Sequence, residues 1–221
     1  MHRSGSWRIQ FLAGMFFLFL FVALASCDEY FRLAVQWPPT MSPSHPQVER
    51  MRRNRRYTFT IHGLWPESNG RPLQYCSSNF SLDPQTLSNP QLSQYWTSFG
   101  AMGNHRFWSH EWQRHGTCAS RVMHRQVTPD EYFGMALDAY RVFGEPLDIR
   151  LGSYGFKADD SSPYSNPEVK KALRSILRQD ATLVCRGREL QEVRFCLNRH
   201  LDPVECGFVE NRCSGQILLP T

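Results

Sequence analysis

Apolar and polar positions divide the chain into a short apolar leader and a longer patterned remainder. Residues 11–24 are apolar except for Gly14, with Arg3 and Arg8 ahead of them and the small residues Ala23, Ala25, Ser26 and Cys27 behind. A bilayer span needs about 20 apolar residues, so this run predicts a cleaved secretory leader over 1–27. Residues 28–221 then form one domain, since no Gly/Ser linker or internal repeat divides them. Within it, 31–37 alternates cleanly and predicts a strand that Pro38-Pro39 ends. The Pro-, Ser- and Arg-rich stretch 38–56 reads as a long loop. A second strand follows over 57–62, with Tyr57, Phe59 and Ile61 on one face and Thr58, Thr60 and His62 on the other. His62 thus ends a strand on its polar side, just before Gly63. Helices are expected over 104–115, stopped by Gly116, and from the capping box Thr128-Pro129-Asp130-Glu131 to about Gly144. A third opens at Asn166-Pro167-Glu168 with Val169, Leu173, Ile176 and Leu177 as its apolar stripe. Residues 181–185 and 190–197 read as strands. Strands and helices in no regular alternation give an α+β domain.

Composition adds the compartment. Beyond the leader the cysteines are Cys76, Cys118, Cys185, Cys196, Cys206 and Cys213. An even set in an exported chain predicts disulfides whose pairing the spacing leaves open. No CxxC pair is present, which speaks against a zinc ribbon or a redox motif. Asn79-Phe80-Ser81 is a glycosylation sequon and predicts a surface loop there. The chain is therefore expected to be secreted and extracellular, with no stable membrane association once the leader is removed. Its 25 basic and 20 acidic residues give +5; loss of Arg3 and Arg8 with the leader leaves +3. Nearly all the basic residues are arginines, which suit phosphate. A polyanionic partner and a merely soluble basic surface both fit a charge of this size.

Two segments carry chemistry: Phe59-Thr60-Ile61-His62-Gly63-Leu64-Trp65-Pro66 and His110-Glu111-Trp112-Gln113-Arg114-His115-Gly116-Thr117-Cys118. On a helix at roughly 100° per residue, His110, Arg114, Glu111 and His115 share one arc, while Trp108 and Trp112 turn toward the core. Two imidazoles, a carboxylate and a guanidinium on one arc form a site, not a core face. Zinc is a poor fit, because a helical pair of ligands needs a four-residue spacing and His110 and His115 are one residue further apart. RNA cleavage fits better. The ribose 2′-hydroxyl attacks the adjacent phosphorus, one group takes its proton, and another protonates the leaving 5′-oxygen. Histidine can do either near neutrality, and nearby cations stabilise the charged phosphorane. Arg114 and a charged His110 are placed for that, and Glu111 can orient an imidazole or, protonated, bond a phosphorane oxygen.

The two segments resemble the two active-site signatures of the ribonuclease T2 family, and the chain is similar to that family from the 31–37 strand to the last four cysteines. Within that family the pattern resembles plant self-incompatibility or S-like ribonucleases. The resemblance implies a central antiparallel sheet with packed helices in one disulfide-stapled domain. It also implies cleavage of single-stranded RNA through a 2′,3′-cyclic phosphate to 3′-phosphate ends, with no cofactor and no metal. His62 and His115 would be the acid–base pair, assisted by Glu111, with His110 and Arg114 at the phosphate. The sequence leaves open which histidine is acid and which is base. Cys76 should pair with Cys118, Cys185 with Cys213, and Cys196 with Cys206. Trp65 is the foremost candidate for stacking on a base, followed by Gln36 and Trp37. The sequence departs from plant members in having no cysteine in 38–56, which carries Arg50, Arg52, Arg53, Arg55 and Arg56 instead and should be looser; Arg114 stands where lysine is usual. A basic balance leans toward the self-incompatibility branch, whose members meet allele-specific protein partners; a monomer is expected. The alternative is a secreted defence or binding protein on the same fold whose catalysis is lost or incidental.

Overall fold

The computed structural model describes residues 29–78, 81–207 and 212–221. The expected leader and Asn79 of the sequon lie outside the described residues. Glu29–Gln36 forms β1, in the middle of the sheet, and it is buried on both faces. Phe31, Leu33 and Val35 enter the hydrophobic core, while Arg32 and Gln36 are buried on the opposite face. That second face is where the polar chemistry collects. The remaining strands are β2 (Thr60–Ser68), β3 (Arg71–Pro72), β4 (Asp159–Ser165), β5 (Thr182–Arg186), β6 (Glu189–Leu197), β7 (Pro203–Val204) and β8 (Gln216–Leu219). They order as β3-β2-β1-β6-β8-β4, with β5 and β7 also paired to β6. All pairings between these strands are antiparallel except β6 with β8, which run parallel, so the sheet is mixed but mostly antiparallel, in keeping with the antiparallel central sheet expected.

The second strand differs from its expected span in an informative way. It starts at Thr60 and runs through Trp65 to Ser68, so His62 lies inside a strand and not at its end. Against β1, Ile61 pairs with Val35 and Gly63 with Ala34, leaving His62 as the extra residue of a bulge. A bulge breaks the two-residue alternation and re-aims a side chain. Thr60 and His62 face the polar side before it, and Trp65 and Glu67 face the same side after it. The carbonyl of His62, displaced from the ladder, accepts a hydrogen bond from Trp96 Nε1 at 2.6 Å. The Trp96 carbonyl in turn accepts from Trp108 Nε1 at 2.7 Å. Two buried indoles therefore tie the bulge to the helix Asn104–Arg114.

The expected helices form. Thr128 and Glu131 complete the capping box of Pro129–Ala139, which continues through a π turn at Tyr140–Gly144. Asn166–Leu177 buries Val169, Leu173 and Leu177, with Ile176 partly buried. The stretch 38–56 is not a loop, however. It holds helices Pro38–Met41 and Pro46–Asn54, each with proline in its first turn, where the missing N–H costs nothing. His45 caps the second through Nδ1, and Val48 and Met51 dock it on the body. Of its arginines, Arg52 donates to Glu49 and to the carbonyl oxygens of Pro43 and Thr221. Three disulfides staple the domain: Cys76–Cys118, Cys185–Cys213 and Cys196–Cys206.

Candidate active site

His62, Trp65, His110, Glu111, Arg114 and His115 line one pocket of about 580 Å³, together with Arg32, Glu67, Arg194 and Thr182. The bulge delivers His62, and β2 beyond it delivers Trp65. The helix Asn104–Arg114 delivers His110, Glu111 and Arg114, and its C-cap is His115. Trp65 is the meeting point. Its ring centroid lies 5.0 Å from that of His62 and 5.4 Å from that of His115, and its Nε1 donates to Glu111 Oε2 at 2.9 Å. Gly63 makes this possible, because a Cβ there would sit 2.1 Å from Trp65 Nε1 and 2.4 Å from Glu111 Oε2.

The two imidazoles occupy opposite environments. Burial pulls the His62 pKa down, but the hydrogen bond and charge of Glu192 outweigh it, and the net shift is upward. His115 is buried beside like charge. Burial first, then Arg114, His110 and His62, push it down to about 3. His110 is also lowered, by burial and then by Arg114 and His62. Glu111 is raised, because burial outweighs the cations and the Trp65 bond that favour its ionised form. The pocket thus holds one imidazole that protonates more readily than usual, two that give up their protons more readily, and a carboxyl that protonates more readily than usual.

Arg114 is fixed from the side of the Cys76 loop. Its carbonyl accepts from Tyr75 N at 2.9 Å, and Gln74 Oε1, with its amide turned oxygen-inward, accepts from Arg114 Nε and Nη2 at 3.2 and 3.1 Å. The Cys76–Cys118 bridge joins that loop to the turn after His115. At the other end of the pocket, Arg32 and Glu67 form a buried two-bond ion pair at 2.6 and 2.8 Å.

Two of the expected base contacts are corrected. Gln36 is 2% exposed, and its Nε2 donates to the carbonyl oxygens of Ile61 and Thr97. Trp37 is 1% exposed, packs on Phe59 at 4.9 Å and donates to the Pro220 carbonyl. Neither lines the pocket; both are packing residues. Trp65 does line it and is partly exposed.

Glu192 and Arg194 were not anticipated. Nδ1 of His62 lies 2.7 Å from Glu192 Oε1, and Arg194 Nε donates to Glu192 Oε2 at 2.7 Å. The guanidinium of Arg194 also lies over the Trp65 ring, 5.0 Å from its centroid. The available signal was weak: two charged residues alternating with apolar ones in an otherwise core-forming strand.

Comparison with known proteins agrees with this arrangement. The sequence profile of the Ribonuclease T2 family matches residues 28–206. Ribonuclease T2 of Sus scrofa is 30% identical over 160 residues, covering 67% of this chain and 76% of that protein. Ribonuclease S-7 of Nicotiana alata is 27% identical over 198 residues, covering 85% of this chain and 86% of the other. Among solved structures, an RNase-related protein from Calystegia sepium superposes with a TM-score of 0.73 at 26% identity, covering 87% of this chain and 97% of that one. With the profile spanning nearly all of the chain beyond residue 27, and both signatures brought to one pocket, the chain belongs to the ribonuclease T2 family and is an endoribonuclease of that type.

Proposed function

We propose that the protein cleaves single-stranded RNA without a metal, by attack of the 2′-hydroxyl on the adjacent phosphorus, through a 2′,3′-cyclic phosphate to 3′-phosphate ends. The observation that carries this reading is the contrast between two imidazoles on one pocket. His115, held neutral, takes the 2′ proton; His62, held protonated, gives one to the leaving 5′-oxygen. The second step reverses the roles, with His62 activating water. Arg114 faces the phosphate and offsets the charge of the phosphorane, and His110 beside it, its pKa lowered, serves as a neutral N–H donor. Glu111 bonds a phosphorane oxygen when protonated, which its raised pKa favours. The exposed part of Trp65 offers a π face to an unpaired base.

Secretion is part of the proposal. It is supported by the leader-like pattern of 1–27 and by the pairing of all six later cysteines, which persists in oxidising compartments. Glycosylation at Asn79 follows from the sequon in that setting. The enzyme is read as a monomer. Its basic balance favours the stylar self-incompatibility branch, with allele-specific protein partners, over a housekeeping role. The rival reading, a defence or binding protein with lost catalysis, is disfavoured because both histidines are present and face the pocket. Incubation with RNA in EDTA distinguishes them: products with 2′,3′-cyclic ends support the enzyme, and intact RNA refutes it. His62→Ala should abolish cleavage while the protein stays folded.

A further inference from the structure

A histidine that works as an acid has two ring nitrogens, and only one can meet the substrate. In His62 the other is already engaged, by a carboxylate 2.7 Å away that belongs to a strand 130 positions later in the chain. The Glu192 side chain is 4% exposed. Burying a charged carboxylate is costly unless hydrogen bonds compensate, and here both oxygens have partners. Oε1 accepts from His62 Nδ1; Oε2 accepts from Arg194 Nε at 2.7 Å and Nη2 at 2.6 Å. Arg194 is itself held over Trp65. Arg194, Glu192 and His62 form one line that ends at the pocket.

We infer that Glu192, backed by Arg194, is a positioning residue for His62: its carboxylate accepts a hydrogen bond from Nδ1–H, turns Nε2 toward the phosphodiester, and its charge stabilises the imidazolium that delivers the Nε2 proton to the 5′-oxygen. The hydrogen bond sets the tautomer, because a carboxylate can only accept. The charge acts against the burial of the ring. Other titratable and charged groups also surround it: Glu111, His110, Arg114 and His115 from the helix side, and Arg194 behind Glu192. Arg32 and Glu67, further along the same pocket, neutralise each other. Arg194 opposes the imidazolium and holds the carboxylate that favours it, so removing either member of the pair has consequences of opposite sign.

This inference rests on the acid role given to His62 above. The test is the pH dependence of kcat/KM on a dinucleoside monophosphate for the parent, Glu192→Gln and Arg194→Gln, with His62→Ala as control. The alkaline limb reports His62 in the free enzyme. Glu192→Gln, which keeps the volume and loses the charge, should move that limb down by roughly one to three pH units, the usual effect of one close opposite charge. Arg194→Gln should move it upward. A sheet ion pair with no catalytic role would lower stability and leave the limb in place. A Glu192→Gln profile that superimposes on the parent overturns the inference, as does displacement of both variants in the same direction. If Glu192→Gln does not fold, Arg194→Gln decides alone: a limb that stays or falls overturns it. An active His62→Ala would instead overturn the acid assignment itself, so the two failures are distinguishable.

Discussion

Replacing Gly63 with Ala probes how tightly the two signatures are fitted together. The added methyl would lie 2.1 Å from Trp65 Nε1 and 2.4 Å from Glu111 Oε2, the atoms that form the 2.9 Å bond between the segments. Neither can yield easily. Trp65 is held by Arg194, and Glu111 is 3% exposed on a packed helix. Forcing a methylene-sized group into such a space costs about 1–3 kcal/mol, and losing the bond about 1 kcal/mol more. We expect urea denaturation to show a loss of about 2–4 kcal/mol. The indole touches both imidazoles, and displacing a catalytic contact by about 1 Å can cost roughly a hundredfold. kcat/KM should therefore fall on that order. A double-mutant cycle sharpens the prediction. In a Trp65→Phe background the clashing nitrogen is gone, so the same Gly63→Ala change should cost less, with a coupling energy of about 1–3 kcal/mol. Activity and stability close to the parent's in Gly63→Ala, or strict additivity with Trp65→Phe, would refute the fit described here.

Removing the Cys76–Cys118 bridge, which closes a separation of 42 residues, should cost about 4 kcal/mol against about 3 kcal/mol for Cys196–Cys206 with its separation of 10. It should also lower kcat/KM disproportionately, because Gln74 and Tyr75 on the same loop hold Arg114; paired serine variants in denaturation and rate assays check both. The rate should rise as pH passes through about 3, where His115 becomes neutral, and fall once pH exceeds the raised value of His62 above 6.5. An optimum on the alkaline side in a pH–rate profile would contradict this. Stability follows the same groups with opposite signs. The His62 contribution is fully present below 6.5 and is lost as pH rises through its raised value, whereas the unfolded chain protonates at His115 first, so that residue destabilises the fold as pH falls from 6.5 toward 3. For the buried pair, Glu67→Ala should cost about 3–5 kcal/mol by removing the carboxylate that neutralises the buried Arg32, and Arg32→Met with Glu67→Leu should recover most of it.

The parts of this molecule that local pattern controls could be read from the chain. The alternation of 31–37 and the capping box at Thr128 each encode their element within a few residues, and the helical arc of His110, Glu111, Arg114 and His115 reaches one pocket as spacing implies. The rest depended on distant neighbours. The bulge at His62 is set by its pairing with Ala34 and Val35, and an alternating strand pattern carries no sign of it. Helix Pro46–Asn54 buries only Val48 and Met51 and is capped by a histidine, so neither its stripe nor its cap stood out from the Pro- and Arg-rich stretch. Gln36 and Trp37 were candidates for a base contact by residue type; here the Thr97 and Pro220 segments cover them, and those neighbours are 61 and 183 positions away. Glu192 acquires its meaning from β6 lying beside β1, which brings it back to a histidine 130 residues earlier.

The bulge has a further consequence for how this strand can vary. Because His62 is a supernumerary residue, β2 carries two phases: Phe59 and Ile61 point to the core at odd numbers, and Leu64 at an even one. Deleting one residue between Ile61 and Leu64 would not simply shorten the strand. It would merge the phases into a continuous alternation, close the ladder against Ala34 and Val35, and release the Trp96 indole from the carbonyl it caps. Where the residue removed is His62, the result would be a more regular sheet whose pocket keeps only the helix-borne imidazoles of His110 and His115, so regularity and activity are competing outcomes at this one backbone position.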